Sequence, residues 1–222
     1  RSGDFTPGNC LFDALAICLP SDPSTVCIPA QRPSSLESHY PLDARSGDFT
    51  PGNCLFDALA ICLPSDPSHT ATNLRTAAVA AIREFPELQA DILGGIGEET
   101  LSVFNGATGI TEDQPYVSLD DYLAKMGRDR TWATGIEIRA LARRLRRPIY
   151  VITTEHRYDQ VYEEDLETDP IFLEYNEFHY RALLPRAGEN LHDIATRIRE
   201  DIAARGVATT RVEPAAAAAS TS

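Results

Sequence analysis

Residues 1–24, RSGDFTPGNCLFDALAICLPSDPS, recur letter for letter as residues 45–68. A fold has one slot for one such segment, so this repeat constrains what the chain can become more than any other feature. Two copies are too few and too unevenly placed for a solenoid. Between them, Thr25 to Ala44 is rich in Pro and Ser and lacks an apolar period, the composition of a linker. The second copy runs straight into the next helical pattern. The first would have to bridge roughly forty further residues, a loop closure on the order of 2–4 kcal/mol. The second copy is therefore expected in the slot. The unused copy would expose Leu11, Phe12, Leu15 and Ile17, inviting aggregation or a domain-swapped dimer through the duplicated segment.

Within the repeat, Gly52-Asn53 reads as a turn that delivers Cys54 to the start of an apolar helix. Leu55, Leu59, Cys62 and Leu63 fall at i, i+4, i+7 and i+8, one buried face. Cys54 would then sit where unpaired backbone N–H groups and the helix dipole favour negative charge, which lowers a thiol pKa and yields a nucleophile. The competing reading is a small core hydrophobe, the usual fate of a free cysteine.

Downstream, Leu74, Ala78, Ala81, Ile82 and Phe85 predict a helix over 72–85, ended by Pro86. A short helix is expected over Glu98–Phe104, and another from Ser118 to Gly127 with a box-like Ser118/Asp121 start. Thr134 and Glu137 form an S/T-x-x-E box opening a helix with Ile138, Leu141, Ala142 and Leu145 inward. The run Arg143-Arg144-Leu145-Arg146-Arg147 reads either as a solvated helix C-terminus or as a patch for localisation or an anionic ligand. Strand 149–153, an acidic loop and a β-hairpin over 171–184 turning at Asn176-Glu177 follow. Leu191, Ile194, Ile198 and Ile202, capped by Asn190, mark a last amphipathic helix that packs on the domain edge or on a partner. The Ala-rich residues beyond Val207 have no core pattern.

A formal net charge of −13 argues against nucleic acid as the main partner and suits a basic protein surface. No apolar run approaches a membrane span. Five cysteines (10, 18, 27, 54 and 62) without a C-x-x-C pair do not suggest a disulfide framework or zinc site, so no metal is expected and a reducing, cytoplasmic setting fits. A first residue of Arg and no visible signal peptide suggest a processed form or a piece of something longer.

Of five histidines, His179 stands out: it follows the hairpin turn between Phe178 and Tyr180. Alone it reads as a hydrogen-bonded strand histidine. Brought to Cys54 by the fold, it would complete a thiolate–imidazolium pair whose imidazolium protonates a leaving amine. Gly52-Asn53-Cys54-Leu55-Phe56 resembles the cysteine motif of the ovarian tumour (OTU) family of deubiquitinating cysteine proteases. Leu74-Arg75, Tyr122-Leu123-Ala124-Lys125-Met126, Trp132-Ala133-Thr134-Gly135-Ile136-Glu137-Ile138, Ala140-Leu141-Ala142, strand 149–153 and His179-Tyr180 follow in family order.

The resemblance implies an α/β (α+β) papain-like fold, a small central sheet flanked by helices, acting without cofactor or metal after the C-terminal glycine of ubiquitin. It implies Cys54 as nucleophile, His179 as general base then acid, and the backbone amides of Gly52, Asn53 and Cys54 as oxyanion donors. Trp132 and Glu137 are read as framing the cleft. The family usually has Asp three residues before the cysteine, where this chain has Pro51, and often Asp or Asn two after the histidine, where it has Arg181. The third member is therefore Asp48, with Asn176 as the alternative, or the pair is a dyad. Expected partners are ubiquitin or a ubiquitin-like protein, with neither nucleic acid nor membrane; an effector or viral fragment would work in a host cytoplasm. The expected layout is a duplicated copy (1–24), linker (25–44), catalytic domain (45–186), C-terminal helix (187–206) and disordered tail (207–222). Two rival readings are a catalytically inactive OTU-like ubiquitin-binding module and a papain-like protease processing a viral or toxin polyprotein.

Overall fold

The computed structural model describes residues 39–45, 50–153, 159–163, 165–166, 168–176 and 179–205. The first copy of the repeat, with Cys10, and Asp48 lie outside the described residues, as do 207–222. The second copy's helix, α1 (Cys54–Cys62), is followed by α2 (Ala71–Glu84), α3 (Pro86–Gly94), β2 (Thr100–Asn105), β3 (Ile110–Pro115), α4 (Leu119–Met126) and α5 (Gly135–Leu145). Next come β4 (Ile149–Thr153), β5 (Gln160–Tyr162), β6 (Ile171–Tyr175), β7 (Tyr180–Pro185) and α6 (Leu191–Ala204); β1 (Leu42–Arg45) precedes them all. The main sheet runs β1-β7-β6-β4-β5, with only β4 and β6 parallel; β2 and β3 form a separate hairpin. This is the mixed α/β architecture, small sheet between helices, that the sequence predicts.

The sheet's alternation builds two cores. On one face Ile149, Val151, Ile171, Leu173 and Ala182 meet Leu55, Phe56 and Leu59 of α1, Leu74 and Ala78 of α2, and Ile138 and Leu141 of α5. On the other, Tyr150, Ile152, Phe172 and Leu183 meet Ile194, Ala195, Ile198 and Ile202 of α6. Burial, not a partner, accounts for the apolar stripe of α6, so this helix is part of the domain's core. Its Asn190 side chain accepts from His192 and Asp193 amides as the predicted cap.

Several expectations need correction. The linker reading of 25–44 fails at its end: Tyr40 and Leu42 are buried, and β1 pairs with β7. The helix expected over Glu98–Phe104 is strand β2, because Asn105 starts a tight turn whose carboxamide oxygen accepts from the Ala107 and Thr108 amides. Pro86 ends α2 and also opens α3, where its missing N–H is harmless. The acidic loop likewise contributes β5 to the sheet edge. The Ser118/Asp121 box is half formed: Ser118 Oγ accepts from the Asp121 amide, but Asp121 takes Val117 N–H and Lys125. The Thr134/Glu137 box is complete. Three arginines of the run are engaged, Arg143 with Glu87 and Glu163, Arg144 with Glu84, and Arg147 with the Asp169 carbonyl, while Arg146 forms the helix C-cap, which reads as a helix end rather than an open anion patch.

Ile198→Ala removes a fully buried side chain between α6 and the sheet and is expected to cost about 2–4 kcal/mol. Urea unfolding should show a lower midpoint with an unchanged slope; an unaltered midpoint would mean that α6 is not held in the core.

Candidate functional site

Helix α1 begins at Cys54 because the residues before it form a turn that only glycine can make. Gly52 has φ +85°, and a Cβ there would overlap the Arg130 carbonyl. The turn closes through the Asn53 amide, which donates to the Thr50 carbonyl at 2.9 Å. The Asn53 side chain does not cap α1. Its oxygen accepts from Arg75 Nη2 at 2.6 Å and from the Arg130 amide at 3.1 Å, while its nitrogen donates to Asp129. The Asn53 carbonyl accepts from the Asp57 amide one helical turn on, at 3.0 Å. In a trans peptide the Cys54 N–H must then point the opposite way, out of the helix N-terminus.

Cys54 itself is 2% exposed. The helix packs on β7, and the Tyr180 backbone amide acts on the Cys54 thiol, favouring its ionised form. Tyr180 is the residue after His179, so the fold carries the hairpin that bears this histidine to the start of α1. His179 is fixed by Asn176: its amide donates to Asn176 Oδ1 at 3.0 Å, and its carbonyl accepts from the Asn176 amide at 3.2 Å. The Trp132 ring lies against the imidazole, centroids 5.7 Å apart. Trp132 is held by its own amide, 2.9 Å from the Ser102 carbonyl of β2.

The electrostatics differ from the sequence expectation in one respect. Helix-end and Tyr180 amides pull the Cys54 thiol down, but burial is the larger influence and pushes it above its ordinary value, helped by the Asp57 carboxylate. The lowered thiol pKa read from the helix N-terminus is thus overturned by desolvation. Burial also lowers the His179 pKa. Both shifts favour the neutral thiol and neutral imidazole. Asp57 is itself pushed up, by burial and by Asp129, with Arg75 opposing.

Other sequence-marked residues take these places. Asn53's amide, one of the three expected oxyanion donors, is occupied by the Thr50 carbonyl. Asn176 is exposed, and its carboxamide oxygen holds the His179 backbone amide. Arg181 forms an ion pair with Glu174 across the β6–β7 ladder. Glu137 is fully buried, caps α5 and accepts from Tyr122 Oη at 2.7 Å, a structural role. Among the described residues no group of three or more His, Cys, Asp or Glu could hold a metal ion. Sequence reasoning assigned no role to Arg75, Asp57, Asp129 or Arg130, all of which surround the turn. For Arg75 a signal exists: a lone arginine beside the Leu74/Ala78/Ala81 stripe of an otherwise apolar helix face.

The sequence matches the family model described as OTU-like cysteine protease over residues 49–182, more than half of the chain. A search of curated proteins by sequence finds no match. Among solved structures, an ovarian tumour (OTU) domain in complex with ubiquitin is similar with TM-score 0.50 and 17% identity, covering 78% of this chain and 94% of that one. It shows the shared fold. The viral OTU domain protease from Taggert virus aligns with TM-score 0.46 and 18% identity over 68% and 83% of the two chains. An OTU deubiquitinase from Wolbachia pipientis wMel bound to ubiquitin aligns with TM-score 0.45 and 16% identity over 66% and 97%.

With the thiol raised, alkylation of Cys54 by iodoacetamide should climb steadily from pH 7 to pH 9, because the thiolate forms only as pH approaches the elevated pKa. Site-resolved mass spectrometry after timed quenching measures this. A plateau already present at pH 6 would mean a preformed thiolate.

Proposed function

The chain belongs to the OTU-like cysteine proteases, and we propose that it is a thiol-dependent deubiquitinase, hydrolysing isopeptide or peptide bonds at the C-terminal glycine of ubiquitin. The observation that carries this reading is the packing of α1 on β7, where Tyr180 and Ala182 lie against the helix that begins at Cys54, which brings the strand following His179 to the cysteine's helix. Neutral Cys54 gives its proton to His179 as the sulfur attacks the scissile carbonyl. Negative charge then develops on the carbonyl oxygen in front of the helix N-terminus, where the outward Cys54 amide and the Gly52 amide donate to it. The imidazolium returns the proton to the departing amine, and water, activated by the same imidazole, releases the acyl group.

Trp132 shields one side of the imidazole. Asp48 as orienting carboxylate is part of the proposal; a Cys–His dyad is the alternative, since Arg181 is engaged with Glu174. The net negative charge suits ubiquitin's arginine-bearing tail. A reducing, cytoplasmic setting suits a mechanism that needs a free thiol.

The test is labelling by ubiquitin bearing a C-terminal electrophile. The wild-type chain and Cys10→Ala should form the covalent adduct; Cys54→Ala should not, and His179→Ala should react at least about a hundredfold more slowly. Labelling that survives Cys54→Ala and disappears in Cys10→Ala would move the nucleophile to the other copy. Binding of ubiquitin without reaction would make this a binding module. In hydrolysis, kcat/KM should hold down to the low His179 pKa and fall only below about pH 6.5, when the base becomes protonated.

A further inference from the structure

Arg75 is 4% exposed, and its guanidinium lies among backbone oxygens from three separate segments. Nη1 donates to the Met126 carbonyl at 2.8 Å. Nη2 donates to the Gly52 carbonyl at 2.9 Å, to Asn53 Oδ1 at 2.6 Å and to the Thr131 carbonyl at 2.9 Å. The Cζ sits 4.3 Å from the centroid of Phe56, in the first turn of α1. One side chain of α2 therefore ties the turn before Cys54 to the segment that ends in Trp132, the ring beside His179.

We propose that Arg75 is a positioning residue for the reaction, locking the Gly52–Asn53 peptide and the Thr131–Trp132 segment in the relative placement that aims the oxyanion donors and the His179 flank. The proposal rests on the reading of Cys54 as nucleophile. Its physical basis is the freedom of a glycine. At φ +85° the Gly52–Asn53 peptide plane has a low barrier to rotation and no side chain to hold it. Arg75 takes the carbonyl of that plane while the Thr50 carbonyl takes its N–H. A flip would break both bonds and turn the neighbouring amides away from the substrate oxygen. The planar fork is suited to this, since Nη1 takes the Met126 carbonyl while Nη2 sits among the Gly52, Asn53 and Thr131 oxygens; a lysine ammonium, with its donors on one atom, cannot serve both groups at once.

The guanidinium also faces charge. Burial pulls its pKa down to about 10, while Asp129, Glu137, Asp57 and the Cys54 thiolate pull it back up. The attraction is mutual, so a positive Arg75 favours the thiolate. A residue that served packing alone would not move the thiol's titration.

The test uses full-length Arg75→Gln and Arg75→Lys, each checked by near-UV circular dichroism and thermal melting, with two readouts. With a fluorogenic ubiquitin C-terminal amide, Arg75→Gln should lose about 10²–10³ in kcat, the size of a lost oxyanion donor, with KM within about twofold. Arg75→Lys, which keeps charge without the fork, should recover part of that loss. In iodoacetamide alkylation followed at Cys54 by fragment mass spectrometry, the pH midpoint should rise in Arg75→Gln and stay near wild type in Arg75→Lys. A folded Arg75→Gln with wild-type kcat and an unmoved midpoint overturns the proposal. So does failure of both variants to fold, which would make the residue a scaffold element only. If the wild-type chain ignores the ubiquitin substrate while the alkylation midpoint still shifts, the deubiquitinase reading fails and the role of Arg75 at the thiol stands.

Discussion

The burial of α1 between the sheet and the helices α2 and α5 is the constraint from which the other features follow. Leu55, Phe56 and Leu59 leave the helix no solvent face of any width, so its first residue is carried into a dry place. A cysteine there receives two opposed influences. The ends of the helix amides and the Tyr180 N–H favour a thiolate, while the loss of water disfavours it, and water's loss is the stronger. The same dryness acts on His179 in the matching direction. A neutral pair is what results, and charge separation is left to the encounter with substrate.

Such an arrangement suits a nucleophile that should not react with every passing oxidant, because the thiol form is the inert one. It also concentrates the electrostatic work in fixed dipoles. The outward amide at the start of α1, aligned by the Asn53 carbonyl's bond to Asp57, needs no reorganisation when an oxyanion forms. What must be held is the turn, and it is held here by groups drawn from elsewhere: the Asn53 side chain by Arg75, Asp129 and the Arg130 backbone amide; Gly52 by Arg75 and by close approach of the Arg130 backbone carbonyl.

Much of this was legible in the chain itself. The apolar period after Gly52-Asn53-Cys54, the Thr134/Glu137 box and the Ile194/Ile198/Ile202 stripe each specify a local structure through nearest neighbours, and each stands as read. Short-range patterns failed where a turn or a distant strand decided the outcome. Glu98–Phe104 carries residues compatible with either helix or strand, and Asn105 settles the matter by folding the chain back on β3. Tyr40 and Leu42 look like a polar linker's exceptions until β7 is there to pair with. The thiol's upward shift was invisible for the same reason: desolvation depends on what packs from residues more than a hundred positions away, whereas helix-end polarity is local.

The ion pair between Glu174 and Arg181 has a consequence for the hairpin. Glu174 is fully buried, and its partner sits directly opposite on β7. Slide β7 by a single residue and every side chain on it changes faces. Arg181 would then be thrust among the aliphatic groups that line α1, and the Glu174 carboxylate would be stranded alone in a medium that cannot solvate it, a penalty of several kcal/mol. Misalignment is thereby excluded by charge rather than by shape, and the strand has one alignment in which its first residue packs against the cluster around α1.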